Sequence, residues 1–161
     1  MTSHKHCFPP VVSPEVRLLI LGSLPGDASL AAGQYYAHPR NQFWRLLGEM
    51  LGKPLAEMAY ADRLDCLLAH RVGLWDVVAR AERKGSLDAA LNDVEHNDLL
   101  ALTRSLPRLE AVAFNGGTAF RAARRLAGSP LALLALPSSS PAYTRDYQEK
   151  LAIWLQLRRY L

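Results

Sequence analysis

Three short segments carry the polar groups best suited to chemistry: GSLPGDASLAAGQYYAHPRNQFW (22–44), FNGG (114–117) and LPSSSPAY (136–143). They supply the amides Asn41 and Asn115, the hydroxyls of Ser23, Ser138, Ser139 and Ser140, two adjacent tyrosines, and His38, with Asp27 as the nearest carboxylate. Amides and backbone N–H groups stabilise developing charge by fixed position and need no strong base. Small hydroxyls on a loop stiffened by Pro137 and Pro141 suit a phosphate oxygen. A tyrosine face suits a flat heteroaromatic ring, at about 1–3 kcal/mol per stacked ring. Familiar catalytic motifs are missing. GSLPGD lacks both the Gly-Lys-Ser/Thr ending of a phosphate loop and the Gly-x-Gly-x-x-Gly spacing of a dinucleotide site, and no Gly-x-Ser-x-Gly elbow occurs. His4, His6 and Cys7 in SHKHC offer metal-ligand chemistry, but their polar, Pro-rich setting reads as a tail, so neither metal nor cofactor is expected.

The segments need elements to bring them together. VRLLILG (16–22) is a short apolar run ended by glycine, as in a strand buried on both faces. PRNQFWRLLGEML (39–51) spaces Phe43, Leu46, Leu47, Met50 and Leu51 at helical intervals, with Pro39 and Asn41 in the first turn. A second helix over 55–70 leads to a second strand, VGLWDVV (72–78). Residues 82–97 are polar and read as a long surface connection with a short helix. A helical DLLALTRSL, a strand at 109–115, a Gly-Gly turn and a helix follow, then a strand at 131–137 and a closing helix. Strands alternating with helices predict an α/β fold, a three-layer α-β-α sandwich around a mostly parallel four-stranded sheet. Residues 1–15 are expected to be a tail and 16–161 one domain. Ligands of such sheets gather at the carboxyl ends of the strands, where the loops beginning at Ser23, Asn115 and Ser138 fall.

Bulk properties set wider bounds. The chain has 161 residues, half of them apolar, enough for one core without staples. No apolar run approaches the roughly 18 residues of a membrane span, and no export signal is visible. Two cysteines are too few for an iron–sulfur cluster and suggest a reduced, cytosolic setting of bacterial type. A net charge of +4 and a pI near 9.3 are compatible with a phosphate-rich partner without requiring one.

The segments resemble the uracil-DNA glycosylase superfamily. Gly22, Pro25 and Gly26, then YAHPRNQFW (36–44), are similar to the first motif of its mismatch-specific branch, and LPSSSPAY to the second. VGLWDVVARAERKGSLDAAL and AVAFNGGTAF resemble the segments between. The likeness covers most of 16–145. One position departs: Leu24 stands where most of the superfamily carries a water-positioning Asn or Asp. The combination of GS-x-PG, HPRN and PSSSPA looks most like the hypoxanthine-DNA glycosylase branch.

That resemblance implies a monofunctional hydrolase acting on DNA with deaminated bases, hypoxanthine first and uracil second, and a monomer. It implies catalysis by Asn41, base contact by Tyr36, Ser23, Leu24 and Asn115, and DNA contact by Ser138, Ser139, Ser140, Pro141 and Tyr143. No lysine lies within either motif to form a Schiff base with the sugar. On the residues alone other roles stay open. Asn41 can cap its helix, Asn115 can make its turn, and Asp76 can end its strand or reach the site. His38 can brace its loop, while Arg121, Arg124, Arg125, Arg158 and Arg159 can be solvated faces or phosphate contacts. A lesion-binding module without catalysis and a hydrolase of free nucleosides are the competing functions.

Overall fold

The computed structural model describes residues 3–83, 85–88 and 91–161. Its centre is a parallel sheet of β2 (Leu18–Gly22), β3 (Val72–Asp76), β6 (Ala111–Asn115) and β7 (Ala132–Leu136), in the order β3-β2-β6-β7. Every residue of β2 is buried, because each face of the strand is covered. Leu18 and Ile20 point into one cluster with Ala111, Ala113, Val72 and Leu74; Leu19 and Leu21 point into the other with Val112 and Phe114. This period-two division explains why the strand reads as an unbroken apolar run.

Helices cover both sides. Phe43, Trp44, Leu46, Leu47 and Met50 of α2 (Phe43–Leu51), Leu67 of α3 (Tyr60–Ala69) and Trp154 of α6 (Tyr147–Trp154) fill the first cluster. Leu99 of α4 (Leu99–Arg104) and Ala119 of α5 (Gly117–Phe120), with the 3₁₀ turn that follows, fill the second. The result is the three-layer α-β-α sandwich expected. The short α1 (Asp27–Ala32) lies within the first long loop. No helix among the described residues is long and apolar enough to cross a membrane.

Three expectations change. The lead-in read as a tail holds β1 (Ser3–His6), and Val11 bridges to Leu74. Much of the polar stretch 82–97 is strand and not a helical connection: Glu82 and Arg83 end β4 (Val78–Arg83), and β5 (Leu91–His96) follows, both joining β1 in an antiparallel sheet of order β1-β4-β5. The run 72–78 is two strands. Chain pairing switches at Val77, whose N–H donates to the Gly22 carbonyl at 2.8 Å before β4 begins. Backbone pairing holds this second sheet, and β5 is largely exposed, so its side chains carry no apolar rhythm to read.

Candidate active site

The loops leaving β2, β6 and β7 converge at the carboxyl end of the sheet around a cavity of about 290 Å³. That is near the lower end of small-molecule sites, roughly 300–1,000 Å³. Nine of the ten residues expected at the site line it: Ser23, Leu24, Tyr36, Asn41, Asn115, Ser138, Ser139, Ser140 and Pro141. The tenth, Tyr143, lies outside, 43% exposed, with its ring 5.3 Å from Lys150 Nζ.

Hydrogen bonds tie three distant segments together. Ser139 Oγ donates to Asn41 Oδ1 at 2.8 Å and accepts from Asn115 Nδ2 at 2.9 Å. Asn115 Oδ1 accepts from the Ser139 N–H, and the Ser139 carbonyl accepts from the Gln42 N–H, each at 2.9 Å. Asn41 precedes α2 and does not sit in its first turn; its Oδ1 also accepts from the Phe43 N–H at 3.0 Å. One side chain therefore both bonds the start of α2 and lines the cavity. With Oδ1 taking two bonds, Nδ2 is the free end, and it makes no hydrogen bond among the described residues.

Ser139 was expected to face a phosphate with its neighbours. It is instead only 1% exposed, spent as the bridge between the two amides. Two further loop N–H groups are also taken: Ser138 Oγ accepts from Ser140 N and Ser140 Oγ from Ala142 N, both at 3.1 Å. The hydroxyl protons of Ser138 and Ser140 remain as donors at the cavity wall. Lys150, 1% exposed, props the loop from behind by donating to Gln42 Oε1 at 2.9 Å and the Tyr143 carbonyl at 2.7 Å.

Tyr36 is held in the left-handed region at φ 53, unusual for an aromatic residue and worth on the order of 1–3 kcal/mol of strain. Its ring stacks on Phe43 with centroids 3.8 Å apart. The phenol oxygen is buried and lacks a partner among the described residues. Beneath it, register sets Gly22 of β2 beside Asp76 of β3. A Cβ on Gly22 would come within 2.7 Å of both Asp76 Oδ1 and Tyr36 Oη, so only glycine leaves room for this floor.

Asp76 is the group that sequence reasoning undervalued. It lines the cavity, is 3% exposed, and its Oδ2 has no hydrogen-bond partner among the described residues. Burial first, then the nearby Asp88 carboxylate, push its pKa from 3.8 up to about 7; Arg83 partly opposes them. In the unfolded chain the carboxyl ionises near its ordinary value, so native stability falls as pH rises from about 4 to about 7 and stays low above that. Asp76→Asn should accordingly raise stability near pH 8 by roughly 2–4 kcal/mol and leave it little changed near pH 3.5. Thermal melts of both proteins at the two pH values check this.

The strand-to-strand connection read as surface packs on the first loop. Asp88 accepts from Ser23 Oγ at 2.8 Å, and Ser86 Oγ accepts from the Asp27 N–H at 2.8 Å. Arg83, with no exposed area, donates to the Pro25 carbonyl and lies 3.7 Å from Asp88. Asp27 is no free turn residue, since Lys5 Nζ reaches it at 2.7 Å. Leu24 touches the cavity but turns mainly into a small cluster with Val78 and Ala81. His38 braces its loop, its Nδ1 accepting from the Arg40 N–H at 3.1 Å. Arg158 is committed to the Met50 and Glu49 carbonyls at the end of α2, whereas Arg121, Arg124 and Arg125 are exposed. His4 lies in one cluster with Glu82 and Asp93, its ligand atom within 4.8 Å of theirs and its Nε2 3.4 Å from Glu82; His6 and Cys7 do not join it.

Residues 9–159 match the family model of the uracil DNA glycosylase superfamily. A protein of Methanosarcina acetivorans named hypoxanthine DNA glycosylase is 40% identical over 156 residues, spanning 97% of this chain and 99% of its own. One of the same name from Methanosarcina barkeri is 39% identical over 152 residues, spanning 94% and 96%. A solution NMR structure from Methanosarcina acetivorans, provisionally named a uracil DNA glycosylase, superposes with a TM-score of 0.89 at 39% identity and 98% coverage of both chains.

Proposed function

The chain belongs to the uracil-DNA glycosylase superfamily, and from that premise we propose that it is a monofunctional DNA glycosylase removing deaminated bases, hypoxanthine first and uracil second. The observation that carries this reading is the bonded line Asn41–Ser139–Asn115 along a cavity that Tyr36 also lines. Hydrolysis of an N-glycosidic bond places positive charge on the sugar and negative charge on the departing base. An extruded nucleotide entering the cavity would set its base against Tyr36. Because Asn41 Oδ1 is occupied, its Nδ2 acts as a donor and meets charge growing on the base. The Ser138 and Ser140 hydroxyls, at the rim, meet the backbone phosphate. Water attacks C1′, the bond to the base breaks with its electron pair leaving on the base, and an abasic sugar results.

Lys150 does not compete as a nucleophile, its ammonium being held by three acceptors away from the cavity. Duplexes carrying one deoxyinosine, deoxyuridine or mismatched thymine test the reading. Release of free hypoxanthine, with strand scission only after hot alkali, is expected. Intact glycosidic bonds for every lesion overturn it, and tight lesion binding without product would select the non-catalytic module suggested by Leu24.

A further inference from the structure

Leu24 cannot donate or accept, and Asn41 offers only a neutral amide, so neither residue hands a proton to the departing base. We propose that Asp76 is a further catalytic residue, a neutral carboxylic acid on the cavity floor that protonates the departing base. This rests on the glycosylase reading above and deepens it. The geometry is specific. Asp76 ends β3 beside Gly22, whose missing Cβ opens the space its carboxyl occupies, and its Oδ2 is buried at the cavity with no partner among the described residues. An ionised carboxylate in that position would be costly, whereas a neutral acid needs only an acceptor, which a bound base provides.

The surroundings favour the neutral form. Asp88, on the connection after β4, adds negative charge; Arg83, at the end of β4, partly opposes it, donating to the Pro25 and Gly85 carbonyls with its Nη1 3.7 Å from Asp88. The phenols of Tyr36 and Tyr35 and the Cys7 thiol also face Asp76, and the pKa of each is raised by burial foremost and by Asp76 among the lesser causes, so all three are neutral near pH 7. In the step itself the C1′–N bond breaks as water oxygen bonds to C1′. The Asp76 proton passes to a ring nitrogen that holds the released electron pair, and the proton lost by the water returns through solvent to the Asp76 carboxylate. The sum is nucleotide plus water giving abasic sugar plus neutral base.

Single-turnover cleavage of a deoxyinosine duplex tests this across about pH 5.5 to 9. The wild-type rate should fall about tenfold per pH unit above an inflection near 7, as Asp76 loses its proton. Asp76→Asn should cleave at least tenfold more slowly near pH 6 and lose the inflection. Asp88→Asn should move the inflection downward, because one cause holding the pKa up is gone. A wild-type rate flat or rising through this range, or an Asp76→Asn rate within twofold of wild type near pH 6, overturns the assignment. If Asp76→Asn does not fold, the wild-type and Asp88→Asn profiles decide alone. Failure of the wild type to release any base would instead fault the glycosylase reading.

Discussion

Replacing Asn41 by alanine should slow single-turnover cleavage of a deoxyinosine duplex by about 100-fold, while duplex binding changes little. The Nδ2 donor is lost, and removing one such positioned donor is worth on the order of 10²–10³ in rate. A second loss accompanies it: Ser139 Oγ no longer has its acceptor and the Phe43 N–H no longer has its cap, so part of the effect is looser positioning of the Ser138–Pro141 loop. Asn41→Asp separates the two contributions. Its carboxylate keeps both acceptor roles but offers no donor, and it puts negative charge where the departing base needs a hydrogen. Aspartate should therefore be at least as slow as alanine while retaining more thermal stability. An aspartate variant with near wild-type turnover would mean that Asn41 acts through its oxygen, as a holder of water, and the assigned direction of the hydrogen bond would be wrong.

The largest combined effect on stability and rate is expected from Gly22→Ala. The new methyl would stand 2.7 Å from both Asp76 Oδ1 and Tyr36 Oη. Both atoms are side-chain ends, yet neither moves freely: Asp76 is rooted in a buried strand, and the Tyr36 ring is stacked on Phe43. Overpacking of this kind costs about 1–3 kcal/mol. Relief by pushing either side chain upward narrows the cavity, and a displacement of about 1 Å at a reacting centre can cost 10² in rate. Adding Tyr36→Phe removes one of the two clashing oxygens, so the double variant should recover part of the lost stability. Chemical denaturation and single-turnover rates on the three proteins read both effects, and a fully stable, fully active Gly22→Ala would show that the floor is not as tight as described.

Much of this site could be read from the chain because its determinants are local. Strand β2 announces itself since both of its faces are covered and all five residues are apolar or glycine, and the loops leaving β2, β6 and β7 then have to meet. The pairing of Asn41 with the serine loop was anticipated in general, but not that Ser139 would be the buried link. Three consecutive serines look alike in sequence, and only the alternation of their orientations distinguishes the bridge from its two exposed-side neighbours. Asp76 was ambiguous for a different reason. A carboxylate at a strand end is read as a cap unless the opposite strand is known to offer a glycine there. Residues 82–97 were misread because β5 exposes nearly every side chain and is held by backbone pairing with β4. Arg83 gives no sign of burial either, since the acceptors of its hydrogen bonds are main-chain carbonyls, which any sequence possesses.

Strand β1 acquires practical weight from its position. It pairs with β4, which delivers Arg83 to the Pro25 carbonyl, and its own Lys5 reaches Asp27 at the start of α1. Strand β1 thus shares mechanical continuity with the bend that frames the pocket, by one hydrogen-bonded route and one ionic one. A load placed on β1 would therefore reach that bend and, through it, the pocket wall. The last helix braces the opposite wall in the same manner, Lys150 donating to the Tyr143 carbonyl and Trp154 Nε1 to the Pro137 carbonyl.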